Sequence, residues 1–236
     1  MRRAPWPSTV VAAAAAWLGT SAGAPVESTA AAMTGTGQVS GLVRLTTSVA
    51  RPPRASAYTS RGVRPLQTPR ASEIRNVVVY VKDAPAPAAL DPVEAEMHQV
   101  GEMFTPGVLA VTRGSTVHFP NDDPFFHNVF SLSNASAFDL GRYRRGESRS
   151  VVMETPGLVK VYCDLHSYMS AVIVVLDHPH FAIPGQDGAF LIETVPAGRF
   201  AVAAWHERIG ESTAAVVVEP GGRASVEFEL PILDEE

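Results

Sequence analysis

The chain holds a single cysteine, Cys163, in 236 residues. A disulfide framework is therefore excluded, and so is every cluster or dinuclear site that needs several thiolates. No Cys-x-x-Cys-His occurs, so covalently attached haem is excluded as well. An excess of basic charge is missing. Lys and Arg number 19 against 24 Asp and Glu, a net charge of −5, which argues against nucleic acid as a partner. No run is long enough to span a bilayer. Helical periodicity is scarce. In its place 19 prolines and 18 glycines punctuate short alternating stretches, which predict an all-β protein.

The first residues read as a targeting signal. Arg2 and Arg3 form a basic start, residues 10–18 an apolar run of nine, and Ala22-Gly23-Ala24 a small-x-small cleavage site. Residues 1–24 are therefore expected to be a signal peptide, and the mature protein periplasmic or secreted. No cysteine lies near that site to carry a lipid, so no stable membrane anchor is expected. In an oxidising compartment a lone thiol is a liability unless something occupies it, which favours a metal-ligand role for Cys163.

Three blocks follow in order. Gly37-Gln38-Val39-Ser40-Gly41-Leu42-Val43 alternates like a first strand, and Asn76-Val77-Val78-Val79-Tyr80-Val81-Lys82 is a second. Residues 50–75 between them carry prolines, serines and six arginines, and read as a solvated loop. The second block runs over residues 95–177. Its strands are expected near 104–111, 115–121, 150–153, 158–163 and 171–176, with residues 131–149 as loop. His118 sits between Val117 and Phe119 and should be a solvated strand histidine. His178 and His180 read as exposed linker residues. The third block, residues 181–232, shows short strands with turns between them, as in a β-sandwich.

The chemistry concentrates in Val161-Tyr162-Cys163-Asp164-Leu165-His166-Ser167-Tyr168-Met169. Thiolate, imidazole and thioether on one short loop are three soft or borderline ligands. One further histidine completes a trigonal His₂Cys set with a weak axial Met, the ligand set of blue copper. His127, in Pro124-Phe125-Phe126-His127-Asn128-Val129-Phe130, is the candidate. Alternation over 158–163 puts Cys163 on the same face as Val159 and Val161, the core face, with Tyr162 pointing away. The bland alternative makes Cys163 and Met169 packing residues and both histidines solvated. Zinc also accepts Cys and His, but methionine is a poor zinc ligand.

With those stretches in view, residues 95–176 resemble the cupredoxins, in particular the plastocyanin, pseudoazurin and amicyanin group. Gly114-Ser115-Thr116-Val117-His118-Phe119-Pro120-Asn121 matches as well, and the short gaps in the ligand loop look most like amicyanin. The whole chain resembles exported plastocyanin-like proteins of the methylamine-utilisation type. The resemblance implies a Greek-key sandwich and one copper ion held by His127, Cys163, His166 and Met169. It also implies that Asn128 steadies the ligand loops by hydrogen bonds. Asp187-Gly188-Ala189-Phe190 with Val195-Pro196-Ala197-Gly198-Arg199-Phe200 resembles the later strands of the carboxypeptidase regulatory-like, transthyretin-type sandwich. That family opens on two strands like those at 37–43 and 76–81. A second, smaller β-sandwich split over 36–84 and 181–232 is therefore expected, with the copper domain, 95–177, inserted.

The expected function is one-electron transfer by Cu(II)/Cu(I) cycling, with a redox protein such as a c-type cytochrome or a dehydrogenase as partner. Phe125, Phe126 and Leu165 would form the docking rim, with Tyr162 as a second outlet. Non-redox copper binding or delivery and a surface interaction module are the alternatives. An enzyme is not expected, because no nucleophile–base set is present.

Overall fold

A computed structural model describes residues 34–46 and 73–231. The expected signal peptide and most of the arginine-rich segment lie outside the described residues. The chain is all-β, with a single turn of 3₁₀ helix at Glu73–Asn76 among those residues.

Before the middle block come β1 (Thr36–Leu45) and β2 (Val78–Lys82). The middle block contains β3 (Glu94–Glu96), β4 (His98–Gln99), β5 (Phe104–Thr105), β6 (Val108–Thr112), β7 (Thr116–Pro120), β8 (His127–Ser133), β9 (Ser136–Tyr143), β10 (Ser148–Val152), β11 (Gly157–Tyr162) and β12 (Ser170–Leu176). After it come β13 (Phe181–Ala182), β14 (Ala189–Pro196), β15 (Gly198–His206), β16 (Gly210–Val218) and β17 (Arg223–Leu230).

Two sandwiches result. In the middle block a five-stranded sheet, ordered β6-β12-β11-β8-β9, shares a core with a three-stranded sheet, β10-β7-β3. Val111, Val117, Phe119, Val129, Val159, Val161 and Ile173 fill it. Each comes from the apolar side of an alternating strand, which is how period-two patterning becomes a two-layer core. The other sandwich sets β14-β1-β17 against β13-β2-β15-β16, around Val39, Val79, Val81, Ile192, Val202, Val218 and Phe228.

The early strands β1 and β2 belong to this second sandwich. β1 lies antiparallel to β14 and parallel to β17, while β2 lies antiparallel to β15, with Val78 opposite Trp205 and Lys82 opposite Ala201. The chain leaves this sandwich after Lys82, builds the other, and returns at Phe181, which sits opposite Tyr80. Gly41 has no room for a side chain, since a Cβ there would stand 1.7 Å from the Val226 carbonyl oxygen.

A third apolar cluster joins the two sandwiches. Val78 meets Val108, Val172 and Val174, flanked by Tyr80, Ala110, Leu176, Ile183 and Trp205. This explains why Ala171 to Val175 are buried without a break. Ala171, Ile173 and Val175 face the core of their own sandwich, and Val172 and Val174 face the neighbour. A strand covered on both sides reads as a continuous apolar run.

Two expectations need correction. Residues 131–149 are not a loop: β8 and β9 form a hairpin, with Ser133 opposite Ser136, and β10 begins at Ser148. β9 is an edge strand with only Phe138, Leu140 and Tyr143 turned toward the core, so its apolar signal is weak. His178 and His180 are not exposed linker residues. Both are buried and their rings stack at 5.5 Å, with His178 Nδ1 accepting the His180 backbone N–H. Burial holds both imidazoles below their usual pKa, as expected of groups whose charged form has lost water.

Candidate metal centre

β11 carries Val159 and Val161 into the core and ends one residue before Cys163, which is buried with them. The chain then turns through residues 164–168 and re-enters the core at Met169, whose N–H donates to the His166 carbonyl at 2.8 Å. Met169 is buried in the same apolar cluster as Cys163. His127 opens β8, which lies beside β11 in the five-stranded sheet, so it reaches the same end of the sandwich from an adjacent strand. His127 is fully buried, while His166 is partly open to solvent.

These side chains converge. Cys163 Sγ lies 3.9 Å from His127 Nδ1 and 3.9 Å from His166 Nδ1, and the two Nδ1 atoms are 3.1 Å apart. The centre of that triangle is about 2.1 Å from each corner, close to metal–imidazole and metal–thiolate bond lengths. Among the described residues this is the one group of three or more His, Cys, Asp or Glu with the spacing of a metal site.

The electrostatics suit a cation. Burial alone pushes the Cys163 thiol up, but His127, the backbone N–H groups of Asn128 and His166, and the His166 ring together bring it down to about 6. The thiolate, the form that binds metals, therefore dominates at neutral pH. Burial pulls His127 down, and is outweighed by Cys163 and Asp123, so its pKa is raised.

Asn128 ties the surrounding elements together. Its Nδ2 donates to Asp139 Oδ1 on β9 at 2.7 Å, and its Oδ1 accepts the Asp164 N–H from the ligand loop at 3.3 Å. The expected docking residues lie at the surface of the segments that carry His127 and His166. Phe125 and Phe126 are 45% and 57% exposed, and Leu165 and Tyr168 are also exposed. Tyr162 points out of the core and packs on Phe130, ring centres 5.8 Å apart.

The remaining histidines stay outside the group. His118 is half exposed and paired with Glu94. His206 is buried, with Nδ1 accepting the Arg208 N–H and Nε2 lying 3.5 Å from the Glu73 carboxylate. One participant was missed in the sequence. Asp123 is buried, and its Oδ2 accepts from His127 Nε2 at 2.9 Å. An acidic residue four positions before the histidine was the available signal, hidden inside what reads as an ordinary Asn-Asp-Asp-Pro turn.

Part of the chain is similar to solved copper proteins. A copper-containing nitrite reductase from Thermus scotoductus SA-01 is 28% identical over 39% of this chain, with a TM-score of 0.34, and the match spans 24% of that protein. A purple cupredoxin from Nitrosopumilus maritimus is 25% identical over 34% of this chain and 98% of its own, with a TM-score of 0.31. Amicyanin from Paracoccus versutus is 18% identical over 41% of this chain and 96% of its own, with a TM-score of 0.33. No protein-family model matches the chain, and no curated protein matches it. Among the described residues no helix is long and apolar enough to cross a membrane.

Proposed function

We propose that this protein is a one-electron carrier of the cupredoxin type, holding a single copper ion between His127, Cys163, His166 and Met169. The observation that carries this reading is the convergence of one thiolate sulfur and two Nδ1 atoms on a single buried point. Met169, buried in the same apolar cluster as Cys163, offers the thioether that distinguishes a copper set from a zinc set. Bound copper would supply the Cu(II)/Cu(I) couple, accepting one electron from a donor and releasing it to an acceptor.

The chain's own residues supply the rest. Cys163 offers a thiolate without needing a base. His127 and His166 present nitrogen lone pairs in one plane with it. The packed core around Val159, Val161 and Met169 keeps these donors in place when the ion's charge changes, which limits rearrangement on transfer. His166 is the ligand open to solvent, and the exposed Phe125, Phe126 and Leu165, on the segments that carry His127 and His166, offer side chains suited to brief apolar docking. The partner in this reading is another redox protein, such as a c-type cytochrome or a dehydrogenase. Tyr162, packed against Phe130, is a second route outward. Residues 1–24 direct export, so the carrier works in the periplasm or outside the cell. Residues 95–177 form the copper domain, inserted in a carboxypeptidase-regulatory-like domain made of 36–84 and 181–232.

The test is a visible absorption spectrum of the copper(II)-loaded protein. An intense thiolate-to-copper band is expected, and Cys163→Ser should abolish it. A colourless complex, or a band that survives the substitution, removes the electron-carrier reading and favours copper delivery.

A further inference from the structure

The short β4–β5 hairpin belongs to neither main sheet of its sandwich. Its turn consists of Gly101 and Glu102, with φ values of 61° and 55°, the paired positive φ of a type I′ turn. Val100 and Met103 close it with reciprocal backbone hydrogen bonds of 2.9 and 3.3 Å. Positive φ is unfavourable for a residue with a Cβ, so Glu102 adopts it against its own preference.

The conformation aims both central N–H groups at one carboxylate. Gly101 N–H donates to Asp123 Oδ1 at 2.6 Å, and Glu102 N–H to Asp123 Oδ2 at 2.8 Å. The same Oδ2 accepts His127 Nε2–H at 2.9 Å. Asp123 is 5% exposed and His127 0%. A buried carboxylate that accepts no hydrogen bond is costly, and here three N–H groups donate to it. The turn reaches the ligand loop too, because the Glu102 carboxylate accepts the Tyr168 hydroxyl.

Three consequences follow for His127. An acceptor at Nε2 keeps the proton there, leaving the lone pair at Nδ1, the atom that faces Cys163. The bond fixes the ring's orientation. It also places a negative charge one imidazole away from the metal point, where it stabilises the more highly charged ion.

We propose that Asp123, held by the Gly101–Glu102 turn, is a positioning residue that presents His127 Nδ1 to the metal and lowers the metal's reduction potential. The proposal rests on the metal-centre reading above, and its test separates the two. In the full chain, Asp123→Ala removes both charge and acceptor, while Asp123→Asn keeps the size and one acceptor but not the charge. Zinc affinity is measured by chelator competition, and the potential by redox titration of the copper-loaded protein. Asp123→Ala should bind zinc about 10–100-fold more weakly. Asp123→Asn should keep the intense copper band yet titrate at a higher potential, which a merely structural residue would not cause. Wild-type zinc affinity in Asp123→Ala together with a wild-type potential in Asp123→Asn would overturn the proposal. The zinc measurement needs no copper colour, so a colourless wild type would sink the electron-carrier reading and still leave Asp123 decided. If Asp123→Ala does not fold, Asp123→Asn decides through both measurements.

Discussion

Cys163 combines three properties that usually oppose one another. It is buried, it is mostly thiolate at neutral pH, and no disulfide occupies it. Burial opposes ionisation, and the hydrogen bonds and imidazoles around the sulfur reverse that balance. The folded thiol's value of about 6 sets a pH window. Below it Cys163 must give up a proton to bind a metal, so this group alone should weaken zinc binding by about tenfold per pH unit. Above it that contribution disappears. Chelator competition between pH 5 and pH 8 measures this, and a decline attributable to Cys163 that already begins near the ordinary thiol range would contradict it. Met169 permits a separate test. A thioether favours Cu(I), so Met169→Gln should retain the metal but lower the reduction potential. An unchanged potential would leave Met169 as core packing only.

At the scale of elements, the centre depends on segments that carry no ligand. Asn128 joins β8, β9 and the ligand loop through two side-chain hydrogen bonds, both made from a buried position. Replacing it with Ala removes both; Asp139 and Asp164 are exposed and water can take over as their partner, so folding stability should fall by only about 1 kcal/mol. Denaturant unfolding of the apo-protein should show that loss, and the copper-loaded variant should have an altered potential. A variant as stable as the parent would mean that the loop is held by its own packing. β9, which receives one of these bonds, gives little sequence signal, because an edge strand needs only one half-buried face. Its partner β8 is missing from the expected strands as well, since His127, Asn128 and Val129 are buried in succession and no alternation marks its start.

Across the whole molecule, Trp205-His206-Glu207 acquires a role that its sequence does not suggest. Trp205 packs in the apolar cluster between the sandwiches, His206 lies beside Glu73 at the entry to β2, and Glu207 pairs with Lys160 on β11 at 3.4 Å. The magnitudes separate these contacts. The Lys160–Glu207 pair is largely exposed, and such pairs contribute about 0–1 kcal/mol. Truncating a well-packed Trp costs about 3–5 kcal/mol when it is fully buried, and somewhat less here because Trp205 is only half buried. Glu207→Ala should therefore leave the thermal transition nearly unchanged, while Trp205→Ala should lower it clearly. The reverse order would make the interface electrostatic. The strand pairing bears on fragments too. Residues 90–178 retain every strand of the sandwich that carries the candidate metal centre and, on the proposed reading, should bind copper alone, with Val108, Val172 and Val174 newly exposed and a greater tendency to associate. Residues 182–236 lack β1 and β2, whose neighbours are β14, β15 and β17, and should fail to fold. Circular dichroism and copper titration of the two fragments measure both outcomes. A folded 182–236 fragment would make the early strands dispensable.

The all-β class, the core face of residues 158–163 and the donor types were legible in the chain itself, because they depend on period-two alternation and on side-chain chemistry within short windows. Cys163, His166 and Met169 stand within seven consecutive residues, so a single loop carries three of the four candidate donors. Other features became definite only when distant segments met. Asp123 looks like a turn residue until the 100–103 hairpin delivers two N–H groups to its carboxylate. His178 and His180 look solvated until their segment meets β2, where the His180 carbonyl accepts the Val81 N–H and both rings are buried. Val172 and Val174 look like one more buried strand until Val78 and Trp205 account for their outer face. Local pattern records which faces are apolar and which atoms can donate or accept. Which surface covers a face, and which group fills a lone pair, is decided by residues far along the chain, and their approach is a property of the tertiary fold.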